Sequence, residues 1–223
     1  MRIFLDIGAH TGETLKVVTD PRWGFEKIFS FEPAPACWAA LEELSTPVVE
    51  LCRFGLWDKD ASLPLHNAGA VGASMSADKE REGEAVDCEF RDAAAWLREH
   101  VREEDDVYAK INVEGAEAEL VARLHETGTL SLIDHLLIHF DVRKVPSKRH
   151  LEAEIWQQLT EAGIDYTPAD EIQFNGAIRG TIKWLQWVDG DPRTRDLRYK
   201  HLWRAEAWGR RKLFPLKRAI ARS

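Results

Sequence analysis

The sequence predicts an α/β fold, a mostly parallel central sheet flanked by helices, and three observations predict it. Residues 2–7 are an apolar run that leads into Asp6-Ile7-Gly8-Ala9-His10-Thr11-Gly12, the pattern of a strand feeding a glycine turn that opens a helix. Short apolar runs then alternate with helical patterns over the first 190 residues, which implies parallel strands joined by right-handed crossovers. Lys110, Asn112 and Glu114 stand two residues apart, so a strand there presents all three on one face.

Each element follows from its local pattern. The helix fed by the first strand is expected over 11–19. Residues 27–31 read as a second strand, closed by Glu32-Pro33, because proline ends the strand and favours a turn. Cys37, Ala40, Leu41 and Leu44 have helical spacing over 35–44, and 48–54 reads as a third strand. Residues 55–83 are rich in loop formers, with a hairpin expected around 62–66. Residues 86–90 alternate as a strand does, and 92–100 reads as a helix. A strand over 106–113 carries the polar triplet and is followed by a helix at 116–124. Residues 133–140 are almost continuously apolar, as in a strand buried on both faces. An amphipathic helix over 151–162 ends at Gly163, and 181–188 is expected to close the sheet as a strand.

Composition narrows the function classes. The chain has 223 residues with 44% hydrophobic and 30% charged content, within the range of a globular domain. Its net charge of −8 is uneven: residues 191–223 hold eleven Lys/Arg against three Asp/Glu, leaving −16 on residues 1–190. An acidic body repels polyanions, so nucleic acid is not expected as the substrate. No apolar run reaches membrane-span length and no signal pattern opens the chain, so a cytoplasmic protein with no transmembrane segment is expected. Cys37, Cys52 and Cys88 form no C-x-x-C pair and read as small buried side chains. Two parts are therefore expected, a domain at 1–190 and a basic, aromatic-containing helical extension at 191–223.

Asp6-x-Gly8-x-x-x-Gly12, Phe31-Glu32-Pro33 and Lys110-Ile111-Asn112-Val113-Glu114-Gly115-Ala116-Glu117, in that order, resemble the FkbM-type methyltransferases. These are S-adenosylmethionine-dependent enzymes with a Rossmann-like class I methyltransferase fold, and the likeness spans residues 2–190. One position departs from the pattern: the family commonly has Asp where this chain has Asn112. The resemblance implies O-methylation of a small hydroxylated acceptor, such as a sugar or natural product, with S-adenosylhomocysteine as the co-product.

On this reading Asp6, Gly8, Ala9, His10, Gly12, Glu32, Leu56 and Asn112 hold the cofactor, with Gly55 beside Leu56. In an open α/β sheet the ligand sits at the carboxyl ends of the strands, and Glu32 at the end of the second strand suits ribose hydroxyls. Adenosylmethionine carries a cationic sulfonium and an ammonium, which an acidic turn suits better than it suits a pyrophosphate. The turn has two glycines where a dinucleotide fingerprint has three. The plainer alternative is that Asp6 caps a helix and the glycines only make a tight turn.

His139, Glu114 and Lys110 are the catalytic candidates. His139 is the candidate general base, because imidazole suits proton removal from a hydroxyl near neutrality. It and Asp141 are expected to share a face at the end of the fifth strand. Glu114 is expected to orient the hydroxyl or serve as an alternative base, and Lys110 to pair with a carboxylate or hold substrate. Each has a structural alternative: a hydrogen-bonded histidine, a helix-capping Glu114, an ion-paired Lys110. No metal site is expected, since Asp134 points away from His135, His139 and Asp141. The loop over 69–83, with Ser74 and Ser76, reads either as a lid or as a surface excursion. The tail reads as a helix laid on the acidic body, a partner-docking segment, a pocket cap or an interfacial membrane helix. Two other functions stay open: a catalytically degenerate cofactor-binding module with a docking tail, and a nucleotide-dependent oxidoreductase.

Overall fold

Strands of mostly apolar side chains form the middle of the sheet, and helices fill the crossovers between them. The computed structural model describes residues 1–69, 73–75, 85–173 and 176–190. In chain order the elements are β1 (Arg2–Ile7), α1 (Leu15–Val18), β2 (Lys27–Phe31), α2 (Pro35–Glu43), β3 (Val49–Cys52), β4 (Gly55–Trp57), β5 (Ala61–His66) and β6 (Ala85–Asp92). They continue as α3 (Ala93–His100), β7 (Asp106–Ile111), α4 (Glu117–Glu126), β8 (His135–Ile138), α5 (Glu152–Ala162), β9 (Asp165–Pro168), α6 (Ala169–Ile172) and α7 (Ala177–Val188).

The central sheet has the order β3-β2-β1-β7-β8-β9, and each of its pairings is parallel. Strand order reverses between β1 and β7, which opens a crevice at their carboxyl ends. A smaller sheet, β4-β6-β5, stands beside that crevice and pairs β5 antiparallel to β6. The expected α/β architecture is therefore present. Every β1 residue from Ile3 to Ile7 is buried, as the continuous apolar run requires of a strand covered on both faces.

One face of the sheet packs against α3, α4 and α5 through residues such as Leu97, Leu120 and Leu159. The other packs against α1 and α7, where Phe4 meets Trp184 edge to face at 6.2 Å. Asp92 caps α3 by accepting from the Ala94 amide at 2.9 Å, and Gly163 ends α5 with φ +69°.

Several expectations are corrected. Residues 181–188 belong to a helix, not a closing strand: Thr181, Trp184, Leu185 and Val188 are buried at helical spacing. The sixth strand is instead the short β9, in which only Thr167 and Pro168 are buried. The helix after the glycine turn is only four residues long, because residues 10–14 form turns before it. β8 stops at Ile138, since residues 129–132 and 141–144 wind into 3-10 turns on either side of it. Residues 61–66, where a small hairpin is expected, form instead the single strand β5, which pairs antiparallel with β6, the strand expected at 86–90. The expected tail at 191–223, and Ser76, lie outside the described residues.

Candidate functional site

The carboxyl ends of β1, β2, β7 and β8 surround a cavity of about 340 Å³, within the range of small-ligand sites. Gly8 begins its floor. Its φ of +82° suits glycine, and a Cβ there would stand 2.1 Å from the Asn112 carbonyl oxygen. Backbone from the first motif thus presses against backbone from the third. The amides of Gly8 and Ala9 both donate to the Phe31 carbonyl, at 3.1 and 2.9 Å, which ties the turn to the end of β2.

Glu32 follows Phe31 and is fixed from two sides. One carboxylate oxygen accepts from the His10 amide at 2.7 Å and the other from the Ala34 amide at 2.9 Å. Burial pushes its pKa up, while those two amides pull it down. An ionised carboxylate has about four lone-pair positions. Two are used by backbone, and the rest can accept from a ligand on the cavity side.

Lys110 and Asp6 form a buried ion pair behind the cavity wall. The ammonium lies 3.0 Å from Asp6 Oδ1 and 2.5 Å from the Gly8 carbonyl oxygen. Burial raises the Asp6 carboxyl, and the Lys110 charge opposes that rise. Two of the three ammonium protons are committed to protein.

The polar triplet does not share one strand. β7 ends at Ile111, the Asn112 amide still donates to the Ile7 carbonyl at 3.0 Å, and then the chain turns sharply. Glu114 has φ +53° and Gly115 has φ +109°, so Glu114 reaches the cavity from a left-handed turn. Its carbonyl accepts from Ser74 Oγ at 2.8 Å. Ser74 is also bridged by backbone to His66, and its neighbours Ala73 and Met75 line the cavity. Residues 73–75, in the loop read either as a lid or as a surface excursion, are thus held against the cavity wall.

His139 lines the cavity one residue past β8, and its amide still bonds to the Ile111 carbonyl at 2.9 Å. Burial, then the charges of Lys110 and Lys144, lower its pKa to about 4, so the imidazole is neutral at physiological pH. The expected shared face with Asp141 is corrected: Asp141 opens a 3-10 turn and binds Lys144 at 2.8 Å. Asp134 sits at the other end of β8, accepting from the Val107 amide at 2.8 Å. Among the described residues no group of three His, Cys, Asp or Glu side chains is arranged to hold a metal ion.

Of the residues expected to hold the cofactor, Gly8, Ala9, His10, Glu32, Leu56 and Asn112 line the cavity, as does Gly55. Asp6 and Gly12 stand off the lining. Asp6 lies behind Lys110, and a Cβ on Gly12 would meet Leu44 at 2.5 Å, so that glycine lets α2 pack closely. All three catalytic candidates, Lys110, Glu114 and His139, line the cavity. Sequence reasoning missed Glu13, Cys37, Met75, Phe90 and Gln173. Glu13 was legible as an acid just past the glycine turn; the others reach the cavity only through long-range packing. The Cys37 thiol is pushed up to about 11 by burial and by Glu32, so it is not a nucleophile at neutral pH.

The wall is chemically divided. Leu56, Leu65, Met75 and Phe90 make one end apolar, and His10, Glu13, Lys110, Asn112 and His139 make the other polar. Glu13, Glu32 and Glu114 face a single lysine already opposed by Asp6, so the wall favours a cationic ligand. His10 Nε2 and Asn112 Oδ1 are buried and find no hydrogen-bond partner among the described residues. No family model, curated protein or solved structure matches the chain, so these residues alone carry the functional reading.

Proposed function

We propose that this protein is an S-adenosylmethionine-dependent methyltransferase that acts on a hydroxyl oxygen of a small acceptor. One observation carries the reading: buried Glu32, held by the His10 and Ala34 amides, stands beside the close approach of Gly8 to Asn112 in one acid-rich cavity. A carboxylate at the end of β2 suits the two ribose hydroxyls. The apolar end formed by Leu56, Leu65 and Phe90 suits adenine, and the acidic balance suits a sulfonium. Unpartnered acceptors at His10 Nε2 and Asn112 Oδ1 fit a ligand that brings its own donors. Asn112 retains an acceptor oxygen at the position where the resembled family has a carboxylate.

When bound, the cofactor supplies an electrophilic methyl group. The chain must then orient an acceptor hydroxyl and receive its proton. His139 serves as the base, because its ring is already unprotonated at neutral pH. A conjugate acid with a pKa of about 4 makes it a weak base, so proton transfer follows development of positive charge on the attacking oxygen. Glu114 orients the hydroxyl from the opposing turn. Lys110 holds the Gly8 carbonyl and is a positioning residue, because its charge is committed to Asp6.

A dinucleotide-dependent oxidoreductase is the second reading, favoured by the strand order, which matches the dinucleotide-binding arrangement. The four-residue α1 and the acidic wall argue against it, since a pyrophosphate is held by a helix N-terminus. Calorimetric titration with S-adenosylmethionine and, separately, with reduced nicotinamide dinucleotide tests the choice. Binding of the first alone supports the methyltransferase, and binding of the second alone refutes it.

A further inference from the structure

The polar end of the cavity is rich in acceptors. Glu13, Glu32, Glu114 and Asn112 Oδ1 all offer oxygen. His10 joins them. The hydroxyl of Thr11 donates to Glu13 Oε1, which leaves Thr11 Oγ1 to accept from His10 Nδ1 at 3.3 Å. In the tautomer that this network assigns, His10 Nε2 is an acceptor.

Among the donors on the wall, which include the remaining proton of Lys110, the Thr14 hydroxyl and Asn112 Nδ2, the amide nitrogen of Gln173 stands apart. Gln173 Nε2 is buried and finds no partner among the described residues, a costly state for an amide. The fold puts Gln173 far along the sheet from Glu32. It follows α6, which leaves β9 at Pro168, the register partner of Ile138 beside His139. Asp170, one turn earlier, acts electrostatically on His139.

Gly180 gives Gln173 its place. A Cβ on Gly180 would stand 2.3 Å from Gln173 Cγ and 2.7 Å from its Cα. Glycine inside a helix is unfavourable by propensity, and here its bare face is filled by the Gln173 stem.

We infer that Gln173, set by Gly180, donates to the carboxylate of the ligand's amino-acid arm, while Asn112 and His10 accept from its ammonium. This rests on the proposed cofactor. An α-ammonium carboxylate supplies the acceptor that Gln173 lacks and the donors that Asn112 Oδ1 and His10 Nε2 lack. Gln173 is then a specificity residue for the arm, and Gly180 a positioning residue.

Two probes separate the arm from the rest of the ligand. S-adenosylhomocysteine carries it, and 5′-methylthioadenosine has the same adenosine thioether without it. Calorimetry of the full chain with both is repeated on Gln173→Ala, Gln173→Glu and Gly180→Ala, each checked for native circular dichroism. The expected result is a Kd for S-adenosylhomocysteine raised about tenfold or more by Gln173→Ala and further by Gln173→Glu, with 5′-methylthioadenosine unchanged within about twofold. Gly180→Ala should give the same selective loss, and if it fails to fold the two Gln173 variants carry the test. Wild-type affinity in Gln173→Ala, or equal losses for both probes, would overturn the inference while leaving the cofactor assignment standing. A wild type that binds neither probe refutes the cofactor reading and this inference with it.

Discussion

Lys110 and Asp6, 104 residues apart in sequence, meet through a 3.0 Å ion pair in which neither side chain is more than 6% exposed. The same ammonium caps the Gly8 carbonyl, so one lysine joins β1, β7 and the glycine turn. Removing it alone strands a buried carboxylate and a buried carbonyl.

Lys110→Met should therefore destabilise the fold by about 3–5 kcal/mol, the range for breaking one side of a buried pair. Asp6→Asn combined with Lys110→Met should recover a large part of that loss. Urea unfolding of the single and double variants measures both. Additive losses would mean that the pair is not coupled.

Gly8 and Gly24 make a controlled comparison. Both have positive φ, +82° and +68°, but a Cβ on Gly24 meets nothing within 4 Å while one on Gly8 meets the Asn112 carbonyl. Gly24→Ala should cost about 1 kcal/mol, the conformational strain alone. Gly8→Ala should cost several times as much and abolish ligand binding. Similar midpoints of thermal unfolding would contradict the close approach.

Glu32→Ala should weaken S-adenosylmethionine binding at least tenfold, about 1.4 kcal/mol or more, because a carboxylate facing two hydroxyls is lost. The circular dichroism spectrum should be unchanged. Unaltered affinity in a folded variant would remove Glu32 from the ribose site.

Two buried groups set opposite pH limits on stability. His139 titrates at about 4 in the fold and at 6.5 when unfolded, so the unfolded chain binds the extra proton between these values. Stability is full above pH 6.5 and is lost as pH falls towards 4, by about 3 kcal/mol relative to His139→Gln. Glu117 is fully buried at the start of α4, accepts from the Gly115 amide at 3.0 Å, and is raised to about 8 by burial and by Asp141. Its protonated form is the stable one, so its contribution is present below pH 4.5 and is lost as pH rises through about 8. Glu117→Gln should match wild type at low pH and exceed it at pH 9. Thermal unfolding from pH 4 to 9 reads both limits.

What the sequence disclosed was local. The glycine turn, Glu32 after an apolar run and the triplet after another each announce themselves within a few residues, and all three converge on the cavity. The misreadings arose where context decides. Residues 181–188 have strand-like composition, yet Thr181, Trp184, Leu185 and Val188 cover one helical face against Phe4. The strand β9 has too few buried residues to show a period. For Lys110 the sequence leaves open pairing with a carboxylate or holding substrate, and the fold sets Asp6 beside it. Gln173 and Met75 join the wall through crossovers that no short pattern encodes. Among the described residues no helix is long and apolar enough to cross a membrane.

The most direct measurement is calorimetric titration of the wild-type protein with S-adenosylmethionine, with reduced nicotinamide dinucleotide as the control. The account predicts one site, a dissociation constant of order micromolar for the former, and no heat from the latter. No binding of S-adenosylmethionine at millimolar concentration, by a protein with native circular dichroism, would mean that the glycine turn and Glu32 are architectural and that the central claim is wrong.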